Sequence, residues 1–210
     1  DAPNGLRTTD VTATVEKPPV AISNGALVDT KDNADGTRSF HWRMDTPYPN
    51  YLTSIVVGDY TDIQQQSGDL ALHTYAYPDE EEAARATVVR LPEMARYYAD
   101  VTGQKYPWPR YSQVMVQDFP GGVPHAAAST ITDNMIDDFG THADFFYLWD
   151  LQESQMLAGQ WFGALVSPKD WKDIWLSHGF AHYLDEMFNE QRNGRDEFLL
   201  YQLATDQATY

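Results

Sequence analysis

The chain has 210 residues, of which 42% are hydrophobic and 21% are charged, a composition typical of a folded globular protein and not of a disordered one. Its 31 acidic residues outnumber its 14 basic residues and give a formal net charge of -17, which repels phosphate backbones and argues against nucleic acid as a partner. The chain has no cysteine, which excludes disulfides and thiolate metal sites, and no apolar run is long enough to predict a membrane span.

The first sixty residues alternate apolar and polar side chains over short runs, which is the pattern of β-strands. Turn residues at 33–36 lie between two such runs, at 26–28 and 39–42, and predict a hairpin. A further apolar run follows at 51–57. We therefore predict an all-β unit over residues 1–62.

A polar stretch at 62–69 separates this unit from a second region. The predicted elements of that region are a strand at 70–76, a helix at 83–101, a strand at 113–117 and helices at 147–165 and 175–188. The acidic run at 79–82 suits a helix N-terminus, where the helix dipole favours negative charge. A loop rich in proline and aromatic residues at 106–111 is interpreted mainly as packing, with a contact surface as the alternative. Strands followed by helices predict an α+β fold in two units.

Three segments in the second half form a distinctive pattern. They read Gly-Gly-Val-Pro-His at 121–125, Gln-Met-Leu-Ala-Gly-Gln-Trp-Phe-Gly at 155–163 and Trp-Leu-Ser-His-Gly-Phe-Ala at 175–181. In this order and spacing the segments resemble those of the gluzincin aminopeptidases, the zinc aminopeptidases of the aminopeptidase N and leukotriene hydrolase type. That family reads G-x-M-E-N, H-E-x-x-H-Q-W-F-G and W-L-N-E-G-F-A.

The resemblance extends over nearly the whole chain and implies a fold. Residues 42–59 resemble the end of the family's N-terminal β saddle, and residues 106–109 resemble the start of its thermolysin-like catalytic domain. The resemblance therefore implies that residues 1–62 are the C-terminal part of a saddle domain. It also implies that residues 63–210 are a truncated thermolysin-like domain.

The zinc chemistry of the family depends on two His, a general-base Glu between them and a third ligand, a Glu, on a later helix. The matching positions of this sequence are Gln155, Met156, Gly159 and His178. An amide and a thioether cannot replace an imidazole and a carboxylate, and glycine offers no side chain. The resemblance thus implies that zinc, the family's cofactor, is not retained and that no catalytic residue remains at these positions.

The substrate-binding loop implied by the resemblance is changed as well. It comprises Gly121, Gly122, Val123, Pro124 and His125. Pro124 stands where the family has the Glu that holds the free amine of the substrate, and a proline side chain carries neither charge nor hydrogen-bonding group. We predict a non-catalytic component that binds a peptide or protein partner, or acts as a scaffold. The compartment stays open, and the resemblance suggests the periplasm or the cell surface.

Two alternatives remain at this point. His178 and His182 are four residues apart in a predicted helix, Glu186 follows one turn later, and His125 could approach them. These side chains are candidate ligands of a remodelled metal site, and the chain would then be a metallopeptidase. The other alternative is an inactivated or truncated form of an active zinc aminopeptidase.

Other residues are expected to have structural roles. Glu153 is rotated by about 160° from Gln155 around a helix axis, so we predict that it points away from the cleft to the surface. Serines 112, 129 and 154 lack the sequence context of a nucleophile elbow. A solvated loop is predicted for Asp133, Asp137 and Asp138. Core packing is predicted for Trp108, Trp149, Trp161, Trp171 and Trp175.

Overall fold

The computed structural model describes residues 2–137 and 139–209, and within them the fold is mixed α+β, as predicted. The strands are β1 (Leu6–Glu16), β2 (Val20–Ser23), β3 (Ala26–Asp32), β4 (Thr37–Pro49), β5 (Ile55–Gly58), β6 (Thr61–Ser67), β7 (Leu70–Ala76), β8 (Tyr111–Val116), β9 (Gly122–Val123) and β10 (Ala128–Thr132). The α-helices are α1 (Glu81–Thr87), α2 (Leu91–Thr102), α3 (Phe139–Ala158), α4 (Ile174–Asn193) and α5 (Arg195–Thr209). None of these helices has the length and apolar character to cross a membrane.

The N-terminal strands form two small antiparallel sheets. One has the order β1-β4-β3, and the other pairs β2 with β5. The predicted hairpin is confirmed, because β3 and β4 pair in antiparallel register across the turn at 33–36. Gly36 in this turn has a φ of 89°, a left-handed conformation that glycine adopts without strain.

A five-stranded sheet with the order β6-β7-β8-β10-β9 follows. The polar stretch at 62–69 was expected to connect two units, and this prediction is wrong because most of it forms β6. Polar residues suit an edge strand of this kind, in which Ile63 is buried and Gln64 faces solvent. Strand β5, which ends at Gly58, pairs with β2, whereas β6, which begins at Thr61, belongs to the five-stranded sheet. The predicted division after residue 62 therefore falls inside β6.

Two predicted helices differ from those observed. The helix expected at 83–101 is split into α1 and α2 by a 3-10 turn at Val88–Arg90, which precedes Pro92 in the first turn of α2. The helix expected at 147–165 is wrong at its C-terminus, because α3 ends at Ala158. Gly163 has a φ of 126°, and a helix cannot continue through that conformation.

Aromatic side chains build much of the core between the five-stranded sheet and the helices. Tyr98, Tyr111 and Trp161 are buried in one cluster, and Trp108 is buried in another, so packing of the 106–111 loop is confirmed. Core packing is wrong for Trp171 and Trp175, which are 45% and 64% exposed. Trp171 begins the 3-10 turn before α4, and Trp175 is the second residue of α4. The side chain of Trp149 lies outside the described set.

Asn24 links the N-terminal strands to the loop that leads into β10. It is buried, and its Nδ2 donates to the carbonyl oxygens of Leu52 (3.0 Å) and Ala126 (2.5 Å). Its Oδ1 accepts from the backbone N–H of Ser54 at 2.7 Å. One side chain therefore satisfies three backbone groups from two parts of the chain.

Candidate functional site

The three motif segments, distant in sequence, meet around one cavity of about 310 Å³. Strand β9 and the residue after it form one wall, the C-terminal end of α3 forms the second, and the N-terminal half of α4 forms the third. The predicted site residues that line the cavity are Gly122, Val123, Pro124, Gln155, Met156, Gly159 and His178. Gly121 and His125 do not line it.

Pro124 and Gly159 occupy complementary space in this cavity. A Cβ atom placed on Gly159 would lie 2.6 Å from Cβ and 2.9 Å from Cγ of Pro124. Carbon atoms that are not bonded pack at about 3.5–4.0 Å, so a side chain at residue 159 would overlap the proline ring. The two residues are therefore coupled, because the ring fits only against a glycine.

Met156 has a packing role. It is 6% exposed and belongs to a buried cluster with Met115 and Ile131 of the sheet. A Cβ atom on Gly122 would lie 2.8 Å from its sulfur, so the thioether fills the space above that glycine. A carboxylate at this position would be buried among apolar side chains, which is unfavourable.

Gln155 and His178 separate the cavity from a neighbouring open groove of about 500 Å³, which His182 and Asp185 also line. The Nδ1 of His182 lies 3.7 Å from Oδ2 of Asp185, and its Nε2 lies 3.4 Å from Oε1 of Glu186. The interaction with the Asp185 carboxyl raises the pKa of His182. The groove therefore has a carboxyl group in its lining, whereas the described lining of the cavity has none.

His125 contacts Thr130 of β10 and does not line the cavity. Its Nδ1 lies 3.2 Å from Oγ1 of Thr130, and burial lowers the pKa of the imidazole to about 4. It therefore stays neutral at ordinary pH, as an internal hydrogen-bonding group.

Zinc, which the resemblance implies for the family, does not fit the four matching positions. Zinc takes imidazole, thiolate or carboxylate ligands, and of Gln155, Met156, Gly159 and His178 only the last offers one. In the part of the chain that the structure describes, no three His, Asp or Glu side chains are grouped to hold a metal ion. The alternative site at His178 and His182 stays a prediction that this arrangement does not favour.

Glu153 is buried, which corrects the predicted surface position. It is 2% exposed, and its Oε1 accepts from Nε2 of Gln113 in β8. The residue does point away from the cavity, as predicted, but α3 lies across the five-stranded sheet, so the opposite side of the helix faces protein and not solvent. Burial raises the pKa of Glu153 to about 8.

Asp185 is a second buried carboxyl, and sequence reasoning did not identify it. It lies on the inner face of α4 beside Leu184 and Phe188, and burial raises its pKa to about 7. The signal in the sequence was an acidic residue three positions before the apolar Phe188 on the same helix.

The solvated loop predicted for three aspartates is corrected in part. Asp133 and Asp137 are half-buried, whereas full solvation was predicted. Asp138 lies outside the described residues.

Gln160 connects the altered loop to the end of α3. Its Nε2 donates to the carbonyl oxygen of His125 at 3.0 Å and lies 3.3 Å from Oγ of Ser129. Its Oε1 accepts from the backbone N–H of Ala127 at 2.8 Å. The side chain is fully buried, so these bonds fix the position of the loop relative to the helix.

Comparison with known proteins finds similarity to a peptidase family and to proteins from several animals. The sequence pattern described as "Peptidase family M1 domain" matches residues 88–209. Endoplasmic reticulum aminopeptidase 1 of Mus musculus is 25% identical over 180 residues, and puromycin-sensitive aminopeptidase of Caenorhabditis elegans is 29% identical over 194. Transcription initiation factor TFIID subunit 2 of Drosophila melanogaster is 25% identical over 187 residues.

These alignments cover most of this chain but a small part of its relatives. They include 79%, 90% and 88% of the chain, in the order given, and 18%, 20% and 15% of the related proteins. The chain thus spans no more than a fifth of the length of the three proteins.

Proposed function

The chain belongs to peptidase family M1, and we propose that it is a member without zinc-dependent peptidase activity that binds a peptide or protein partner in the cavity. We also propose that the chain up to β5 is the end of a saddle domain and that the chain from β6 onward belongs to a thermolysin-like domain, which moves the boundary predicted after residue 62 to the start of β6. The whole protein would then act as a binding or scaffolding component.

The observation that carries this proposal is the contact between Pro124 and Gly159. The ring of Pro124 occupies the space into which a zinc-ligating side chain at residue 159 would extend. The loss of a ligand is therefore accompanied by a neighbour that fills its place. A single damaging substitution would leave a void or a clash, whereas these two residues pack closely against each other.

The name of one relative supports a role in assembly. Transcription initiation factor TFIID subunit 2 is named as a subunit of a transcription factor, and it matches 88% of this chain. A fold related to peptidases therefore occurs in a protein that is named for its place in a complex. This chain would use the same fold for binding.

Strand β9 offers a place where a peptide can bind. It is an edge strand of the five-stranded sheet. In its antiparallel pairing with β10, the backbone N–H and C=O of every second residue point away from β10. Thr132 donates to the carbonyl oxygen of Gly121, and Val123 pairs with Thr130. The N–H and C=O of Gly122 therefore face the open edge, where an added strand would pair with them.

Metal content and turnover test the proposal. We expect the purified untagged protein to contain no stoichiometric zinc after exposure to the metal, and to hydrolyse no aminoacyl p-nitroanilide above the blank. Chelator-sensitive turnover that disappears in His178→Ala would contradict the proposal and favour the remodelled metal site. His41→Ala is the matched control, because His41 is a partly exposed imidazole that pairs with Asp10 in the N-terminal sheet.

A further inference from the structure

The walls of the cavity are apolar over most of their surface. Leu52, Val123, Phe162, Trp171 and Ile174 all line it. Among the described residues that line the cavity there is no Asp, Glu, Lys or Arg. A charged group entering it would lose hydration without gaining an opposite charge, which is costly.

Aromatic contacts hold these walls in place. The rings of Phe162 and Phe180 stack with centroids 5.0 Å apart. The rings of Tyr51 and Trp171 lie edge to face with centroids 4.9 Å apart. At about 30 Å³ for each water, a cavity of 310 Å³ holds roughly ten waters, which is room for one large side chain.

The open edge of β9 fixes how a ligand would enter. An extended peptide that pairs with the backbone of Gly122 presents alternate side chains to the same side of the sheet. Pro124 has no N–H, so the pairing ends at that residue. A peptide bound there is therefore anchored by the backbone groups of Gly122.

We propose that the ligand of this cavity is an extended peptide segment, internal or blocked at its N-terminus, that places one uncharged apolar side chain between Val123, Ile174 and Phe162. This inference rests on the proposed function and specifies its ligand. A free amine beside that side chain would have no carboxylate to meet, since none of the described residues that line the cavity is Asp or Glu. Recognition depends on apolar burial and on the backbone of Gly122.

Isothermal titration with a matched set of peptides tests the inference. The probes are acetyl-Leu-Ala-Ala-amide, the same peptide with Lys in place of Leu, and Leu-Ala-Ala-amide with a free amine. We expect the acetylated Leu peptide to bind at least tenfold more tightly than either of the other two. Ile174→Trp fills the cavity and should abolish this binding, whereas Ile55→Trp should not, because Ile55 is 54% exposed in another sheet.

A second variant reverses the preference. Ile174→Glu adds a carboxylate to the cavity wall, so we expect the free-amine peptide to gain at least tenfold in affinity while the acetylated peptide loses affinity. Circular dichroism and thermal unfolding establish that each variant is folded.

The outcomes separate this inference from the proposed function. Equal or tighter binding of the free-amine peptide by the unaltered protein overturns the inference and leaves a non-catalytic peptide-binding protein. Failure of every peptide to bind also overturns it, while the metal and turnover assay still decides whether the chain is catalytic. Zinc-dependent cleavage of the free-amine peptide overturns the proposed function itself.

Discussion

Replacing Glu153 with Gln tests whether α3 buries a protonated carboxyl against the sheet. Burial raises the pKa of Glu153 from 4.5 to about 8, so the folded chain holds the proton more tightly than the unfolded chain does. The stability linked to this group is fully present below the unfolded pKa and is lost as pH rises toward 8. Each pH unit in this window lowers the free energy of unfolding by up to about 1.4 kcal/mol.

The expected difference can be measured by urea unfolding at pH 5, 6, 7 and 8, followed by tryptophan fluorescence. Between pH 5 and pH 7 the unaltered chain should lose about 2–3 kcal/mol more than Glu153→Gln. Asp185 has a raised pKa of about 7, so the variant should keep a shallower pH dependence of the same sign. The amide oxygen of the Gln side chain introduced at residue 153 can still accept the hydrogen bond from Nε2 of Gln113.

Glu82→Gln is the control, because Glu82 is an exposed residue of α1. That variant should follow the unaltered chain at every pH. If Glu153→Gln also runs parallel to the unaltered chain, then Glu153 is ionised and solvated in the folded state, and the argument from burial is refuted.

The remaining predictions concern packing and hydrogen bonding. Gly159→Ala should lower the free energy of unfolding by about 1–3 kcal/mol, because its Cβ would lie 2.6 Å from Cβ of Pro124. In a Pro124→Gly background, which removes that atom, the same change should cost less, and additive effects in this double-mutant cycle would contradict the coupling. Asn24→Ala should cost about 2–4 kcal/mol, since the carbonyls of Leu52 and Ala126 lose a buried donor. A thermal shift below 2 °C for Asn24→Ala would show that water replaces the amide.

Much of the fold could be predicted because local signals and the family pattern agree. Alternation and the turn at 33–36 predicted the hairpin, and the family resemblance implied that the segments containing Gly122, Gln155 and His178 contribute to one site. The structure places these residues around one cavity. Whether they have lost catalysis stays a prediction for the assays above.

What could not be predicted depends on which elements cover each face of a helix. A rotation around the helix axis correctly turned Glu153 away from the cavity, but only the sheet behind α3 determines that this side is buried. Likewise, apolar residues beyond Ala158 indicated more helix, whereas α3 ends at Ala158 and the N–H groups of Gln160 and Trp161 bond to the carbonyl oxygens three residues back. Trp175 reads as core from its residue type but lies on the outer side of α4.

The bonds made by Gln160 affect how such chains are recognised in genome surveys. Because this side chain fastens the loop at 125–129 to the end of α3, it is needed for architecture whether or not any bond of a substrate is broken nearby. A sequence search that gives weight to residues 160–163 therefore detects the fold and not the catalytic activity. A classifier that scores the identities at 155, 156, 159 and 178 separately would distinguish chains that keep zinc-ligating side chains at these positions from chains that do not.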